Sequence, residues 1–532
     1  RGLMLVLALS LALNTVGAGW GLPNEHSWSN DDQTPKIPLR IGQIWCCSTD
    51  KYPYLQPLIT HAIYAPSLWW WRARGELAAD CAKLSDAKCY SRSFEQFGWL
   101  MRLSRLLAAL MGVGTVAAVY VLALRLYADR RAATAAALAA AVIHEVVLFS
   151  HFGNVDVPYL FWFAWSMVAF VDIVDKGRLR DYAAFGLLAA ASLASKESIV
   201  GAYVLVGAAI LVVHARRALA ARPPGASAWP ALGRSVIDRR LWALAAGLFG
   251  LYGIANNVLF NRQGFIDHVN HWIGGTGIDP WNEGYTGPLA LVATFLARLR
   301  DGVGWPWLAL AAIAVVWAAW RDRRTLWAVL PAVSYYHFTI APIRYAYTRF
   351  TMPVAILLAV PVGLLVADAI AAPNGQRWFG RATWFVRAAA AVALAHAFLY
   401  SVHVDVMLLG DSRYPAERWL KANVPTDAEV LGIGSTTYLP RLEWLGYRDR
   451  RLDRDTATVA EVLARKAEVV VTTRRSRFET GGVDASFVEG LKRAGFAVVY
   501  EHQASAPLAP LLGTDYIESR VNPEVVIFRR AR

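Results

Sequence analysis

Two adjacent carboxylates, Asp31 and Asp32, stand in the polar stretch HSWSNDDQTP, shortly after an apolar N-terminal segment. A carboxylate beside a hydroxyl group can act as a general base, which typically contributes about 10²–10⁴-fold to a rate. Paired Asp residues also occur as ordinary turn or capping residues, so the pair alone does not establish catalysis. Two such carboxylates can also hold Mg²⁺ or Mn²⁺. A zinc site is not expected, because the histidines lack a zinc-binding spacing such as H-E-x-x-H.

Basic residues at the ends of apolar segments are candidates for binding a negatively charged group. Lys and Arg form charge-assisted hydrogen bonds with phosphate oxygens. The alternative for each is a side chain that only extends to lipid headgroups. The candidates are Lys51, Lys196, Arg344 and Arg349. Five further polar residues near the same boundaries are candidates for orienting a substrate: His151, Asp156, Glu197, His268 and His271.

Apolar helices must position these residues. The chain has 532 residues, of which 56% are hydrophobic and only 18% charged. Apolar runs of bilayer-spanning length recur along it, which is typical of a polytopic α-helical membrane protein. We predict about eleven transmembrane helices. They cover residues 2–19, 100–126, 132–150, 157–174, 182–197, 199–214, 241–260, 303–320, 325–340, 351–370 and 384–403.

The short loops between these helices alternate in charge, and this alternation sets the orientation. Lys and Arg concentrate in loops such as 214–240 and 321–326, whereas the alternate loops hold few. By the positive-inside rule the N-terminus lies inside and the C-terminus outside. Residues 3–19 could also form a signal peptide, but the alternation favours a retained helix. The net charge of +14 lies mostly in the inner loops, so it does not indicate nucleic-acid binding.

Two outer segments interrupt the helical body, which we assign to residues 1–410. The first is a large loop, 20–99, and the second covers 261–302, within which 287–302 is expected to be a helix lying in the membrane interface. All four cysteines fall in the first loop. Four cysteines allow three pairings. A bond between neighbouring residues is strained, so we expect pairs across the loop, in an oxidising compartment such as a periplasm. The cysteines are Cys46, Cys47, Cys81 and Cys89.

The tail, 411–532, has a different pattern, in which short apolar strands alternate with amphipathic helices. This pattern predicts a soluble extracytoplasmic α/β domain. Strands are expected at 427–435, 467–473, 496–502 and 524–530, and helices at 416–425 and 487–495. A lone GIGS after the first strand is too short for a dinucleotide fingerprint, and a tight turn is sufficient to explain it.

The order of these features resembles a known family. After the acidic pair come KYPYL (51–55), HFGNVDVP (151–158), ASKES (194–198) and IRYAYTRFTMP (343–353). This order is similar to that of the GT-C glycosyltransferases, specifically bacterial protein O-mannosyltransferases and the lipid A aminoarabinose transferases (family 39-like). The resemblance covers about residues 1–400 and is weak over the tail. KYPYL lacks the family's double proline, and Asp-Asp stands where members often have Asp-Glu.

The resemblance implies an inverting transfer of a sugar from a polyprenyl-phosphate donor to an acceptor hydroxyl of a protein, lipid or glycan. Asp31 or Asp32 would be the base, and the four cations would bind the donor phosphate. The site would face the outside of the inner (plasma) membrane. No cofactor is expected, although a divalent cation is compatible with the acidic pair.

Two other readings compete with an enzyme. A secondary transporter or flippase of lipid-linked substrates typically has broken or charged helices at the membrane midplane and internal repeats. Here the charges lie at helix ends and the halves show no repeat, which favours the enzyme. A non-catalytic assembly protein with the same fold would keep its cellular activity after both Asp31→Asn and Asp32→Asn.

Overall fold

The computed structural model describes residues 1–24, 26–29, 32–48, 52–76, 94–224, 227–273, 287–371, 383–448, 450–474, 483–512 and 521–531. The chain divides into two compact units. The first unit comprises residues 1–15, 37–70 and 106–401. The second unit comprises residues 16–36, 71–105 and 402–532.

Helices dominate the chain up to residue 423. In order they are α1 (Gly2–Thr15), α2 (Lys36–Leu39), α3 (Ile41–Cys47), α4 (Leu55–Ala73), α5 (Phe94–Tyr127), α6 (Arg130–Ala141), α7 (His144–Ser150), α8 (Asp156–Asp175), α9 (Leu179–Leu193), α10 (Val200–Ala220), α11 (Ala228–Val236), α12 (Arg239–Ala255), α13 (Arg262–Ile273), α14 (Pro288–Val303), α15 (Trp305–Arg321), α16 (Leu326–Tyr335), α17 (Ala341–Ile343), α18 (Met352–Ala371), α19 (Thr383–Leu409) and α20 (Arg413–Asn423). Short 3₁₀ turns lie at Glu197–Ile199, Arg323–Thr325 and Thr348–Thr351, and a π-helical turn at Tyr336–Ile340.

All eleven segments predicted to span the membrane contain a helix. Within the described ranges, six helices are long and apolar enough to cross a bilayer, or eight if two bent pairs each count as one span. The difference from eleven arises because α1, α9 and α12 have only 14, 15 and 17 residues, whereas a span needs about 20. The prediction of a multi-pass helical membrane protein is confirmed.

Two pairs of consecutive helices are sharply bent where one helix meets the next. The α6–α7 pair bends by 61° and the α14–α15 pair by 114°. The second bend occurs at Gly304, whose φ of +83° is accessible to glycine at little cost. Helix α14 therefore runs across the direction of α15, as expected for the stretch 287–302. Its position in the membrane interface stays a prediction.

The C-terminal domain contains a five-stranded sheet with the order β2-β1-β3-β5-β4. Strand β1 is parallel to β2 and β3, whereas β5 is antiparallel to β3 and β4. The remaining elements are β1 (Val430–Ile433), β2 (Arg451–Leu452), α21 (Val459–Ala464), β3 (Val469–Thr473), α22 (Ala485–Arg493), β4 (Phe496–His502), α23 (Ala509–Leu512) and β5 (Val525–Arg530). The predicted α/β domain is confirmed, although β2, α21 and α23 were not predicted.

Helices cover both faces of the sheet, because its central strands carry apolar side chains on both faces. Val470 and Phe528 pack with Leu491 of α22 on one face. Val471 and Ile527 pack with Leu420 of α20 on the other. Successive side chains of a strand point to opposite faces, so a strand buried on both sides reads as a continuous apolar run, as in VVVTT of β3.

The pairing of the cysteines across the loop stays a prediction. Cys46 and Cys47 lie at the end of α3 with their sulfurs in contact. They are consecutive residues with Cα atoms 3.8 Å apart, so the two sulfurs meet without any long-range approach of the chain. Cys81 and Cys89 lie outside the described residues.

Candidate functional site

The centre of the candidate site in the first unit is an ion pair between Asp156 and Lys196. The Lys196 ammonium donates to Asp156 Oδ1, and the two side chains are only 4% and 7% exposed. Asp156 begins α8, and Lys196 lies between α9 and the 3₁₀ turn at Glu197–Ile199. The two residues come together because α8 and α9 are neighbours in the chain that pack against each other.

Aromatic rings enclose the Lys196 ammonium. Its Nζ lies 5.4 Å from the centre of the Tyr159 ring and 5.2 Å from that of Phe350. A ring face attracts a cation, and more strongly when both are removed from water. The Arg349 guanidinium stacks over Tyr347 and Phe350 at 5.2 and 5.9 Å, so two cations contact one ring.

The sequence places an acid, Asp156, two residues before Pro158, and its surroundings in the structure show what holds it there. An Asp shortly before a proline is typical of a residue that caps the start of a helix. Instead the Asp156 carboxylate makes no capping bond within α8, while Asn154 Oδ1 accepts from the Asp156 N–H at 3.0 Å. The reason is that Lys196 and the Asn154 amide hold the carboxylate. Pro158 fits because the N–H groups of a first turn have no intrahelical acceptor.

A second polar cluster lies beside Lys196 in the chain. Glu197 Oε1 is 2.6 Å from His268 Nε2 and accepts a hydrogen bond from the Tyr252 hydroxyl at 3.4 Å. His268 is 4% exposed and Glu197 is 24% exposed at the level of the side chain. His271 is exposed one turn further along α13. His151 is buried, with its Nδ1 2.8 Å from the Val147 carbonyl oxygen in α7.

Asp32 lies in the second unit, where it forms an ion pair with Arg105 of α5. Asp32 Oδ2 accepts from Arg105 Nε and Nη2 at 3.1 and 2.7 Å and from Ser27 Oγ at 2.8 Å. Both side chains are 1% exposed. Arg105 Nη1 also donates to the carbonyl oxygens of Ala18 and Trp20 at 2.9 and 2.6 Å. The segment that leads from Ala18 to Asp32 is called the acidic loop below. Arg105 therefore holds this loop at several points.

Residues at the base of the C-terminal domain hold the same loop. Trp20 Nε1 donates to Asp411 Oδ2 at 3.0 Å, and Gly21 N donates to the Tyr414 hydroxyl at 2.9 Å. Arg413 is fully buried, ion-paired with Asp411 and centred 4.0 Å from the Trp28 ring. Buried ion pairs need such additional hydrogen bonds because the loss of water around each charge is costly.

Of the described candidates, Arg344 is not brought into these clusters. Arg344 is exposed in the turn after α17, with φ +49°, and it forms no ion pair within the described ranges. Asp31 and Lys51 lie outside the described residues. The roles assigned to all the candidate residues stay predictions.

Tyr159, Phe350, Tyr252 and Arg105 were not among the candidates from the sequence. The aromatic residues gave no usable signal because such rings are common in this chain, at 12% of all residues. Arg105 did carry one, since an arginine within the apolar run LSRLLAAL is expensive unless it has a partner.

Groups of three or more Asp, Glu, His or Cys side chains placed to bind a metal are not found in the part of the chain that the structure describes. Asp31, one half of the acidic pair, is not in that part. The absence of a metal therefore stays a prediction.

Residues 93–232 match the family model of the dolichyl-phosphate-mannose-protein mannosyltransferases. The predicted resemblance is confirmed over this segment. The matched mannosyltransferase segment contains His151, Asp156, Lys196 and Glu197, whereas Asp31 and Asp32 precede it. No curated protein matches this chain.

Three solved structures are similar to this chain at low sequence identity. The archaeal oligosaccharyltransferase AglB from Archaeoglobus fulgidus, in complex with an inhibitory peptide and a dolichol-phosphate, is 15% identical, with 89% of this chain and 69% of that chain covered and a TM-score of 0.45. ArnT from Cupriavidus metallidurans, bound to undecaprenyl phosphate, is 14% identical, with 98% and 97% covered and a TM-score of 0.48. The S. cerevisiae protein O-mannosyltransferase Pmt1-Pmt2 complex, bound to the sugar donor, is 16% identical, with 50% and 35% covered and a TM-score of 0.34. Similarity at this level does not carry a function to this chain.

Proposed function

We propose that this chain is an integral-membrane glycosyltransferase that moves a sugar from a polyprenyl-phosphate donor to an acceptor hydroxyl. The acceptor belongs to a protein, lipid or glycan, and transfer takes place on the extracytoplasmic side of the plasma membrane. Residues 1–410 form the transferase body, and residues 411–532 form a soluble outer domain. The family match over residues 93–232 supports the class of reaction.

The observation that carries the proposal is the buried, aromatic-lined cation Lys196, with Arg349 on the same Phe350 ring. A membrane protein rarely buries a lysine unless it is paired, and such residues mark substrate pathways. Asp156 pairs with Lys196 and orients it. Two cationic side chains on one aromatic ring can donate charge-assisted hydrogen bonds to a lipid phosphate, which is the electrostatic requirement for binding it.

In the proposed reaction the acceptor oxygen attacks the anomeric carbon from the face opposite the phosphate. The new C–O bond forms as the bond to the phosphate oxygen breaks, so the anomeric centre inverts. The hydroxyl proton passes to an Asp carboxylate, and the negative charge leaves on the lipid phosphate. Lys51, Lys196, Arg344 and Arg349 would stabilise this charge, so no strong acid is needed.

Of the two candidate bases, the contacts of Asp32 favour Asp31. Asp32 Oδ2 already accepts three hydrogen bonds, two of them from Arg105, and its side chain is 1% exposed. Such a carboxylate is well suited to holding the loop but poorly placed to meet a hydroxyl group from solvent or lipid. We therefore assign the base to Asp31 and the anchoring of its loop to Asp32.

The test is sugar transfer by the purified full-length protein in lipid nanodiscs, with a panel of synthetic polyprenyl-phosphate sugars. The wild type should transfer sugar with inversion, and Asp31→Asn should lower kcat by about 10²-fold or more while donor binding is retained. Lys196→Gln should instead weaken donor binding, because it removes a cation from the phosphate site.

The matched control for Lys196→Gln is Lys176→Gln. Lys176 follows the end of α8 that is opposite Asp156. Lys176 pairs with Asp172 at 2.6 Å but is 32% exposed, so its loss should leave donor binding unchanged. If the wild type binds none of the donors, the proposal fails and transport of lipid-linked substrates becomes the next hypothesis to measure. Full transfer by both the Asp31→Asn and Asp32→Asn variants would exclude either residue as the base.

A further inference from the structure

A pocket rich in arginine lies within the second unit. It is lined by Asn24 and His26 of the acidic loop and by nine residues of the C-terminal domain, the first of which is Thr436 and the last Arg451. The empty space is about 380 Å³, including its opening to solvent. Four of the eleven lining residues are arginines: Arg441, Arg448, Arg450 and Arg451. The pocket is therefore lined by four guanidinium groups and one carboxylate, that of Glu443.

One of the four arginines has a structural role. Arg441 is buried and binds Glu417 through both oxygens, with Nε–Oε1 and Nη2–Oε2 distances of 2.8 and 2.5 Å. It also donates to the Pro23 carbonyl oxygen at 3.4 Å, which connects the C-terminal domain to the loop that bears Asn24. Arg441 therefore shapes the pocket, and its charge is already matched.

The other three arginines are more exposed to solvent than Arg441. Arg450 pairs with Glu429, and Arg451 Nη2 lies 3.3 Å from Glu443 Oε1, with all four side chains 23–37% exposed. Exposed pairs of this kind contribute only about 0–1 kcal/mol, so an incoming anion can compete for them. Arg448 is exposed and forms no ion pair with any described residue. A guanidinium offers several N–H donors in a planar fork that matches phosphate and carboxylate oxygens.

The fold explains why these arginines gather. Residues 448–451 lead into β2, the edge strand beside β1, and Gly432 N donates to the Arg450 carbonyl oxygen at 2.9 Å. The chain leaves β1 through Gly434, with φ +115°, and reaches the pocket at Thr436. The GIGS turn thus directs the chain into the wall of the pocket.

We propose that this pocket binds the anionic group, a phosphate ester or a carboxylate, of the sugar acceptor. The inference rests on the proposed function, in which the donor phosphate is assigned to cations such as Lys196 and Arg349 of the first unit. A second cationic pocket then serves the other substrate. Its wall at Asn24 and His26 belongs to the same loop as Asp31 and Asp32, so an acceptor held there is bound by the loop that supplies the base.

The experiment measures the binding of inorganic phosphate to the full-length protein in nanodiscs, by ³¹P NMR titration. The nanodiscs contain saturating polyprenyl phosphate, so that the donor site is already occupied. Arg448→Gln should weaken phosphate binding by about tenfold or more, because it removes a charge-assisted contact. The matched control is Arg465→Gln, an exposed arginine of the same domain that lies outside the pocket and forms no ion pair with described residues. Its phosphate affinity should stay within about twofold of the wild type, since an exposed charge away from the site contributes little.

A second comparison distinguishes the source of the anion. Phosphatidic acid in the nanodisc should weaken the binding of inorganic phosphate if a lipid headgroup reaches the pocket, relative to nanodiscs of phosphatidylcholine. No such competition would indicate a soluble acceptor. In transfer assays Arg448→Gln should raise KM for a phosphorylated acceptor without changing kcat, and it should leave KM for a neutral acceptor unchanged.

The outcomes separate this inference from the proposed function. If phosphate does not bind while the donor site is full, or binds equally to Arg448→Gln and the wild type, the anion site is overturned even if sugar transfer occurs. Binding that depends on Arg448 in a protein that transfers no sugar would support the anion site and overturn its assignment to an acceptor.

Discussion

Asp156 and Lys196 are 40 residues apart in the chain, yet each is the other's main electrostatic partner. Their burial makes the pair sensitive, because a charge that loses its partner away from water cannot be compensated by solvent. Asp32 and Arg105 form an equally buried pair in the second unit. Asp156, Lys196 and Asp32 were all sequence candidates, whereas Arg105 was not, and in each pair the cation determines how the acid is held.

At the residue scale we predict that Asp156→Asn destabilises the protein by about 3–5 kcal/mol, because Lys196 becomes an unpaired buried cation. Asp172→Asn, at the other end of α8, removes a partner of the more exposed Lys176 and should cost about 0–1 kcal/mol. The measurement is the midpoint temperature of thermal unfolding in detergent, with tryptophan fluorescence as the signal. Equal midpoints for the two variants would contradict the prediction.

Close approach of backbones fixes the helix pairs in the first unit. Gly186 of α9 faces α12 so closely that a Cβ atom there would lie 2.3 Å from the Leu244 carbonyl oxygen. That obstacle is backbone, so it cannot move aside as a flexible side chain would. The α9–α12 contact bears on the proposed site because α9 ends just before Lys196 and α12 carries Tyr252, which contacts Glu197.

At the element scale we predict that Gly186→Ala separates α9 from α12 and costs about 1–3 kcal/mol through overpacking. Gly250→Ala on α12 is the matched control, since nothing lies within 4 Å of its added Cβ. Alanine is the better helix former, so this control should be neutral or stabilising by up to about 1 kcal/mol. Thermal unfolding of the two variants compares them directly, and a stable Gly186→Ala protein would show that the helices can adjust.

On the scale of the whole molecule, both units are assembled from separate segments of the chain. The second unit combines the loop that carries Asp32, the start of α5 and the C-terminal domain. The first unit contains the helices whose connecting loops alternate in charge. Orientation in the membrane is therefore a property of the loops, whereas the clusters of polar residues depend on packing within each unit.

For the whole molecule we predict that the loop at 214–240 lies inside and the C-terminus outside, because basic loops resist translocation. Reporter fusions that are active on only one side of the membrane measure this directly. A reporter inserted near residue 224 should be active inside, and one fused after residue 532 should be active outside. Activity of both on the same side would overturn the predicted orientation and with it the side of the proposed reaction.

Periodicity and composition were enough to predict the class of protein, the eleven helical segments and most of the C-terminal strands. These features depend on local apolar patterns, which the bilayer and the pleat of a sheet impose on neighbouring residues. The candidate residues Asp32, Asp156, Lys196 and Glu197 were also recognisable, because charges beside apolar runs are rare.

Tertiary packing alone decided the partners. Arg105 for Asp32, Lys196 for Asp156 and His268 for Glu197 are 73, 40 and 71 residues distant, and no local pattern encodes such pairs. The four arginines of the pocket are likewise brought together by tertiary structure, because β2 pairs with β1 and Arg441 contacts the acidic loop. Sequence patterns reveal which residues are costly to place in a membrane protein, whereas the packing of distant segments determines what compensates that cost.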